Sequence, residues 1–200
     1  MAEAVFVLFA FLVTQALCAP HERKAFIMQK ISVQKMVQVA LLVALEVVLS
    51  RFVSVGNDFL KISFNFVPVV LAAMLYGPVW GATVAGLGDL LGALLFPRGP
   101  FFPGFTLTAV LVGLVYGLFL FRKTSIGRVV SAALIVSIPL GLGLNTLWIC
   151  ILYDLELWAI LPGRTFQELF MIFIRVVLIY QVIIPVVYLI QDKIAEKKTA

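Results

Sequence analysis

Apolar residues run through this chain in long blocks separated by short punctuation, and the blocks decide its class before any single residue does. Six of them, at about 33–53, 63–76, 79–96, 104–121, 128–153 and 165–191, approach or exceed the roughly 20 residues that carry a helix across a bilayer core. None alternates with the period of two that marks a membrane barrel strand. A lipid solvent forces each spanning segment to satisfy its own backbone, so the pattern predicts an all-α integral membrane protein built as a six transmembrane helix bundle. Gly77-Pro78 divides the second block from the third, Pro97 to Pro103 divides the third from the fourth, and Arg122, Lys123 and Arg128 mark the turn into the fifth. The second block is short: at about 1.5 Å per residue it reaches only about 21 Å, so it is expected to lean on its neighbours, to start inside the preceding loop or to span partially.

Composition agrees with the blocks. Of 200 residues, 63% are apolar and 12% charged, with a mean hydropathy of +1.14, whereas a soluble domain is about half apolar and about a quarter charged. Charge then sets orientation. With six spans and both termini cytoplasmic, the inner side collects Arg23, Lys24, Lys30, Lys35, Arg122, Lys123, Arg128, Lys193, Lys197 and Lys198, and the outer side only Arg51, Lys61, Arg98 and Arg164. The net charge of +5 is therefore a topology signal and gives no support to nucleic-acid binding, which needs a clustered basic face.

Residues 1–27 stand outside this scheme. "VFVLFAFLVTQALCAP" has the apolar core and small-residue end of a signal peptide, but Glu3 precedes it and no lysine or arginine does. Cleavage near Cys18 would leave the basic cluster outside, so Met28 is expected to be the functional start, with 28–200 forming the membrane domain. Cys18 and Cys150 do not make a disulfide framework; Cys150 reads as a small apolar residue of a helix.

Much chemistry is absent from the sequence. It has no GxxxxGK[ST], no HExxH and a single histidine, His21. Metal-dependent hydrolysis is not expected, no cofactor is implied, and uphill transport would need energy from a partner or an ion gradient.

What remains is a set of polar residues gathered toward one half of the membrane. Arg51 ends the first span, Asn145 lies in the outer third of the fifth, Arg98 and Arg164 fall in outer loops, and Thr106 and Thr108 open the fourth span. Glu46, Asp89 and Arg175 lie deeper, each costing about 2.5–3.5 kcal/mol if unpaired at mid-span. The expectation is internal neutralisation, Arg175 pairing with Asp89 or Glu46. Between the third and fourth spans runs "FPRGPFFPGFT" (96–106), with three prolines, four phenylalanines and Arg98. Prolines restrict the loop and lower the entropy lost on gripping a ligand, aromatic faces and a guanidinium suit a flat anion, and Gly104 at a helix start allows close approach. The same phenylalanines also suit an aromatic belt at the membrane interface.

"ALLVALEVVLSRF" (40–52), "GPVWG", "GDLLGALLFP", "FPGFT" and "LNTLW" (144–148) together resemble the folate-specific S-component of the energy-coupling factor (ECF) vitamin transporters, over nearly all of residues 30 to 191. The resemblance implies a non-enzymatic substrate-binding subunit in the bacterial plasma membrane. Its partners would be a transmembrane coupling protein and two ATP-binding cassette ATPases, with folate as transported substrate. It implies that Ala40 and Ala44, matching the AxxxA signature, face the coupling protein, since small residues at i and i+4 let a second helix approach. It also implies a vitamin site under the outer loops, closed by 54–62 and 96–104, and a reorientation of the whole bundle during transport. For folate's pterin, aminobenzoate and glutamate, Asn145 is the candidate amide, Phe64, Phe105 and Trp148 the aromatic walls, Arg51, Lys61 and Arg98 the cations for the carboxylates, and Thr106 a hydroxyl contact. Three alternatives stay open: an S-component for another vitamin, an ion-coupled transporter relaying protons through Asp89, and an intramembrane lipid enzyme using Asp89 and Glu46.

Overall fold

The structure is a computed structural model that describes residues 33–56, 61–97, 99–122 and 124–190, with backbone alone at 55, 56, 61 and 62. The expectations for residues 1–27, for Arg98 and for the side chain of Lys61 lie outside the described residues.

Among the described residues, six helices make the bundle. Helix α1 is Val33–Arg51. A two-residue antiparallel ladder follows, β1 (Val55–Gly56) on β2 (Lys61–Ile62), with Val55 opposite Ile62. Then come α2 (Phe66–Tyr76), α3 (Pro78–Leu95) and α4 (Pro103–Leu120). The last two are long, α5 spanning Ile126–Tyr153 and α6 spanning Leu157–Ile190. All but α2 are long and apolar enough to cross a membrane. Proline occupies the first position of α3 and of α4, where its missing N–H breaks no helical bond.

Helix α2 is apolar on every face because it has no lipid side. Seven of its 11 residues are buried, from Phe66 through Met74, and Val70, Ala72 and Ala73 are fully so. The expectation that this short segment leans on its neighbours is met: it forms the centre of the core, packed by α1, α3 and α4. Gly77, at φ 99° in the left-handed region, then reverses the chain into α3.

Helices α3 and α4 touch backbone to backbone. A Cβ on Gly113 would lie 2.4 Å from the Gly81 carbonyl oxygen, and one on Gly117 would lie 2.1 Å from Pro78 Cα. In lipid, where apolar side chains gain little by leaving the solvent, such small-residue seams hold helices together by close van der Waals packing.

Helix α5 changes its winding. It is α-helical over Ile126–Ile135, widens to a π-helical stretch over Val136–Asn145 that contains Pro139, and tightens again over Thr146–Tyr153. Proline cannot fill the regular ladder, and the local π adjustment absorbs the break inside the bundle. Helix α6 begins at Leu157, eight residues earlier than the expected start at 165. Pro162 lies early in the helix and removes one N–H, which does not stop it. Arg164, expected in an outer loop, is consequently a buried helical residue, 6% exposed.

The two ends of the bundle differ. At the end where α1 begins, Lys35 is buried with its Nζ 4.7 Å from the Trp80 ring centre and 5.1 Å from that of Tyr76, a cation held on two aromatic faces. At the other end, where α1 and α3 finish and α4 and α6 start, the bundle encloses a cavity.

Candidate ligand-binding site

The cavity has a volume of about 340 Å³ and takes residues from all six helices, within the roughly 300–1,000 Å³ of small-molecule sites. Its mouth is aromatic. Pro97, Gly99, Pro100, Phe101 and Phe102 come from the loop between α3 and α4, and Phe105 from the first turn of α4. Phe102 packs at 6.0 Å on Phe105 and at 5.5 Å on Trp148. Trp148 is fixed in turn, its Nε1 donating to Thr108 Oγ1 at 3.0 Å and its ring lying against Gly104. Beside the mouth, Phe52 and Phe96 meet edge to face at 5.2 Å, tying the end of α1 to the end of α3. The Arg51 guanidinium lines the cavity and lies over Gly92, where a Cβ would come within 2.8 Å of Nε.

Below the aromatic rim the walls become polar. Asp89 Oδ2 accepts from Thr106 Oγ1 at 2.8 Å. Glu46, 1% exposed, accepts from Asn65 Nδ2 at 3.2 Å and presses on Gly88, whose bare Cα leaves room for the carboxylate. Asn145, on the wide π-helical stretch, presents its amide to the cavity and makes no hydrogen bond to the described residues.

The floor is built by α6 against α5. Arg164 Nε donates to Thr146 Oγ1 at 2.8 Å and Nη2 to the Gly141 carbonyl at 3.3 Å. Glu168 sits one turn on, against the bare Cα of Gly141, and its Oε2 accepts from Arg175 Nη1 at 3.2 Å. Arg175 Nη1 also donates to the buried Ser137 Oγ. Among the described residues, no group of acids, cysteines and histidines is placed to hold a metal ion.

Several expectations are corrected by this arrangement. Arg175 pairs with Glu168, not with Asp89 or Glu46, because Glu168 lies two helical turns away on the same face of the same helix. Glu46, Asp89 and Arg175, expected to neutralise charge inside the bundle, also line the cavity. Of the expected ligand residues, Arg51, Phe105 and Asn145 line it. Phe64, Thr106 and Trp148 do not: Phe64 packs on the core, Thr106 is engaged by Asp89, and Trp148 supports Phe102 from behind. Ala40 and Ala44 are exposed, on the flank of α1 beside its buried Val39, Val43 and Val47. The sequence reading missed Arg164, Gln167 and Glu168. Their signal was a polar stripe, Arg164, Gln167, Glu168 and Arg175, at helical spacing.

A match to the family described as "ECF transporter, substrate-specific component" spans residues 34–183. The chain belongs to that family. Its members are components of transporters, so the intramembrane-enzyme alternative falls away. The folate transporter FolT of Clostridium novyi is 35% identical over 154 residues, covering 76% of this chain and 88% of its own. FolT of Leuconostoc mesenteroides is likewise 35% identical over 164 residues, covering 78% and 88%. A crystal structure of FolT bound with folic acid superposes with a TM-score of 0.71 at 35% identity, covering 75% of this chain and 91% of that one. The chain is thus a multi-pass membrane protein with a FolT-like fold.

Proposed function

We propose that this chain is the folate-binding substrate-specific component of an ATP-driven ECF vitamin importer in a bacterial plasma membrane. The observation that carries the reading is the cavity itself, in a chain 35% identical to the FolT relatives across about three quarters of its length: an aromatic, proline-braced mouth over a polar floor. Both termini are cytoplasmic and the cavity opens outward, in keeping with the lysine and arginine distribution. Lys35 at the opposite end of the bundle fits the same orientation.

Folate enters with its pterin first. Taking an ionised group out of water costs several kcal/mol even after relaxation, so two tail carboxylates are far cheaper to leave at the mouth than to carry to the floor. A neutral, flat pterin pays little for the same journey and gains stacking on Phe102 and Phe105. Arg51 then stands where the glutamate tail emerges, and the Asn145 amide reads a pterin edge. The loaded protein docks through the exposed Ala40 and Ala44 face on a transmembrane coupling protein whose two ATP-binding cassette ATPases supply the energy. Folate itself is cargo.

Isothermal titration of the purified protein with folate, thiamine, riboflavin and biotin tests the reading. Saturable binding of folate alone is expected, and the same affinity for all four, or none for folate, refutes it. Arg51→Ala should weaken folate more than pteroate, which lacks the glutamate; equal losses remove Arg51 from the tail site.

A further inference from the structure

The floor of the cavity holds one acceptor that the protein leaves open. Glu168 is 5% exposed and its Oε2 is engaged by Arg175, whereas among the described residues no donor reaches Oε1. Both oxygens lie against Gly141, so the carboxylate cannot swing toward α5 without a clash, and it borders the cavity. The other two acids of the site lie off the floor, although Asp89 Oδ1, like Glu168 Oε1, is reached by no donor among the described residues. Glu46 is drawn to Asn65 and against Gly88 at the side wall, and Asp89 is engaged by Thr106 near the mouth. A buried carboxylate that is rigidly held and half satisfied is completed by a ligand offering an N–H, and a charge-assisted bond of that kind is about twice as strong as a neutral one.

We propose that Glu168 is the residue that reads the 2-amino and ring N–H edge of the pterin, and that Arg175 is a positioning residue that fixes the carboxylate for it. This inference rests on the folate reading of the cavity. It makes the site selective for heteroaromatic rings carrying an amino group beside a ring N–H, and indifferent to rings of equal size that lack them. Arg175, itself fixed by Ser137, sets the rotamer of Glu168, so the acceptor is in place before the ligand arrives and little ordering entropy is lost on binding.

The test is a double-mutant cycle between protein and ligand. Folate and 2-deaminofolate are titrated into the wild-type protein and into Glu168→Gln. Wild type should prefer folate by about tenfold to a hundredfold, the range for a hydrogen bond to a charged group, and the variant should bind both within about threefold of each other. A variant that keeps the wild-type preference overturns the proposal. Should Glu168→Gln fail to fold, Glu168→Asp retains the charge and withdraws the oxygens by one methylene, and an unchanged preference in that variant overturns it equally. Asp89→Asn is the competing case: loss of the preference there, with Glu168→Gln unaffected, assigns the pterin edge to the mouth. Failure of wild type to bind folate at all is a different result and defeats the transporter reading instead. For Arg175, the lysine variant should restore more of the preference than the methionine variant; equal behaviour of the two removes the positioning role.

Discussion

Replacing Gly141 by alanine adds one methyl group at the point where α5 supports the floor of the cavity, and its consequence can be worked from distances. The new Cβ would lie 2.7 Å from both Cδ and Oε1 of Glu168 and 2.9 Å from Oε2. Ordinary contacts of that kind begin near 3.4 Å, so the carboxylate must retreat by more than half an ångström. That displacement carries it off its 3.2 Å contact with Arg175 and out of register with a bound ligand. A misplaced charge-assisted hydrogen bond costs about 1.5–3 kcal/mol, which at 1.4 kcal/mol per decade is about a tenfold to 150-fold loss of affinity. Stability should respond much less, because alanine is favoured over glycine in a helix by up to about 1 kcal/mol and offsets part of the strain. Titration of folate against the Gly141→Ala protein, beside a thermal unfolding curve of each protein without ligand, separates the two effects. Affinity within twofold of wild type would show that the position of Glu168 does not govern binding.

Further perturbations probe the other parts. Asn145→Ala should weaken folate at least tenfold, the result of leaving a buried polar group of the ligand unpaired at about 1–3 kcal/mol; wild-type affinity by titration would remove Asn145 from the site. Ala44→Trp should leave folate binding intact and abolish uptake in cells that carry the ATPases, and normal uptake would mean that this face of α1 does not dock. Gly113→Leu forces a branched side chain against the backbone of α3 and should lower stability by about 1–3 kcal/mol or more, read as a drop in melting temperature of the detergent-solubilised protein; an unchanged melt would mean that α3 and α4 are not in backbone contact.

The bundle was legible because lipid leaves a sequence few choices: apolar blocks of spanning length become helices, and Pro78 and Pro103 start them where punctuation was visible. The mouth was legible for a related reason, since prolines and phenylalanines packed into 96–106 have few uses at a helix junction. The floor was not. Starting the last span at 165 cut α6 short and put Arg164 in a loop, and Glu168, although it lies in the same block as Arg175, was not read as its partner. The choice of partners was also out of reach, because an acid two turns away on one helix and acids on other helices offer Arg175 similar chemistry, and packing decides among them. Gly88, Gly92 and Gly141 each make room for a charged side chain from another helix, a role that a glycine-rich apolar stretch does not announce.

The backbone seam between α3 and α4 has one more consequence. With Gly81 against Gly113 and Pro78 against Gly117, the two rods cannot slide or part without losing contacts along their whole inner length. The connection 96–102 is strung between their far ends like a handle on a single plank. The footings of that handle therefore keep their spacing, and any widening of the cavity has to come from the handle or from the helices outside this pair.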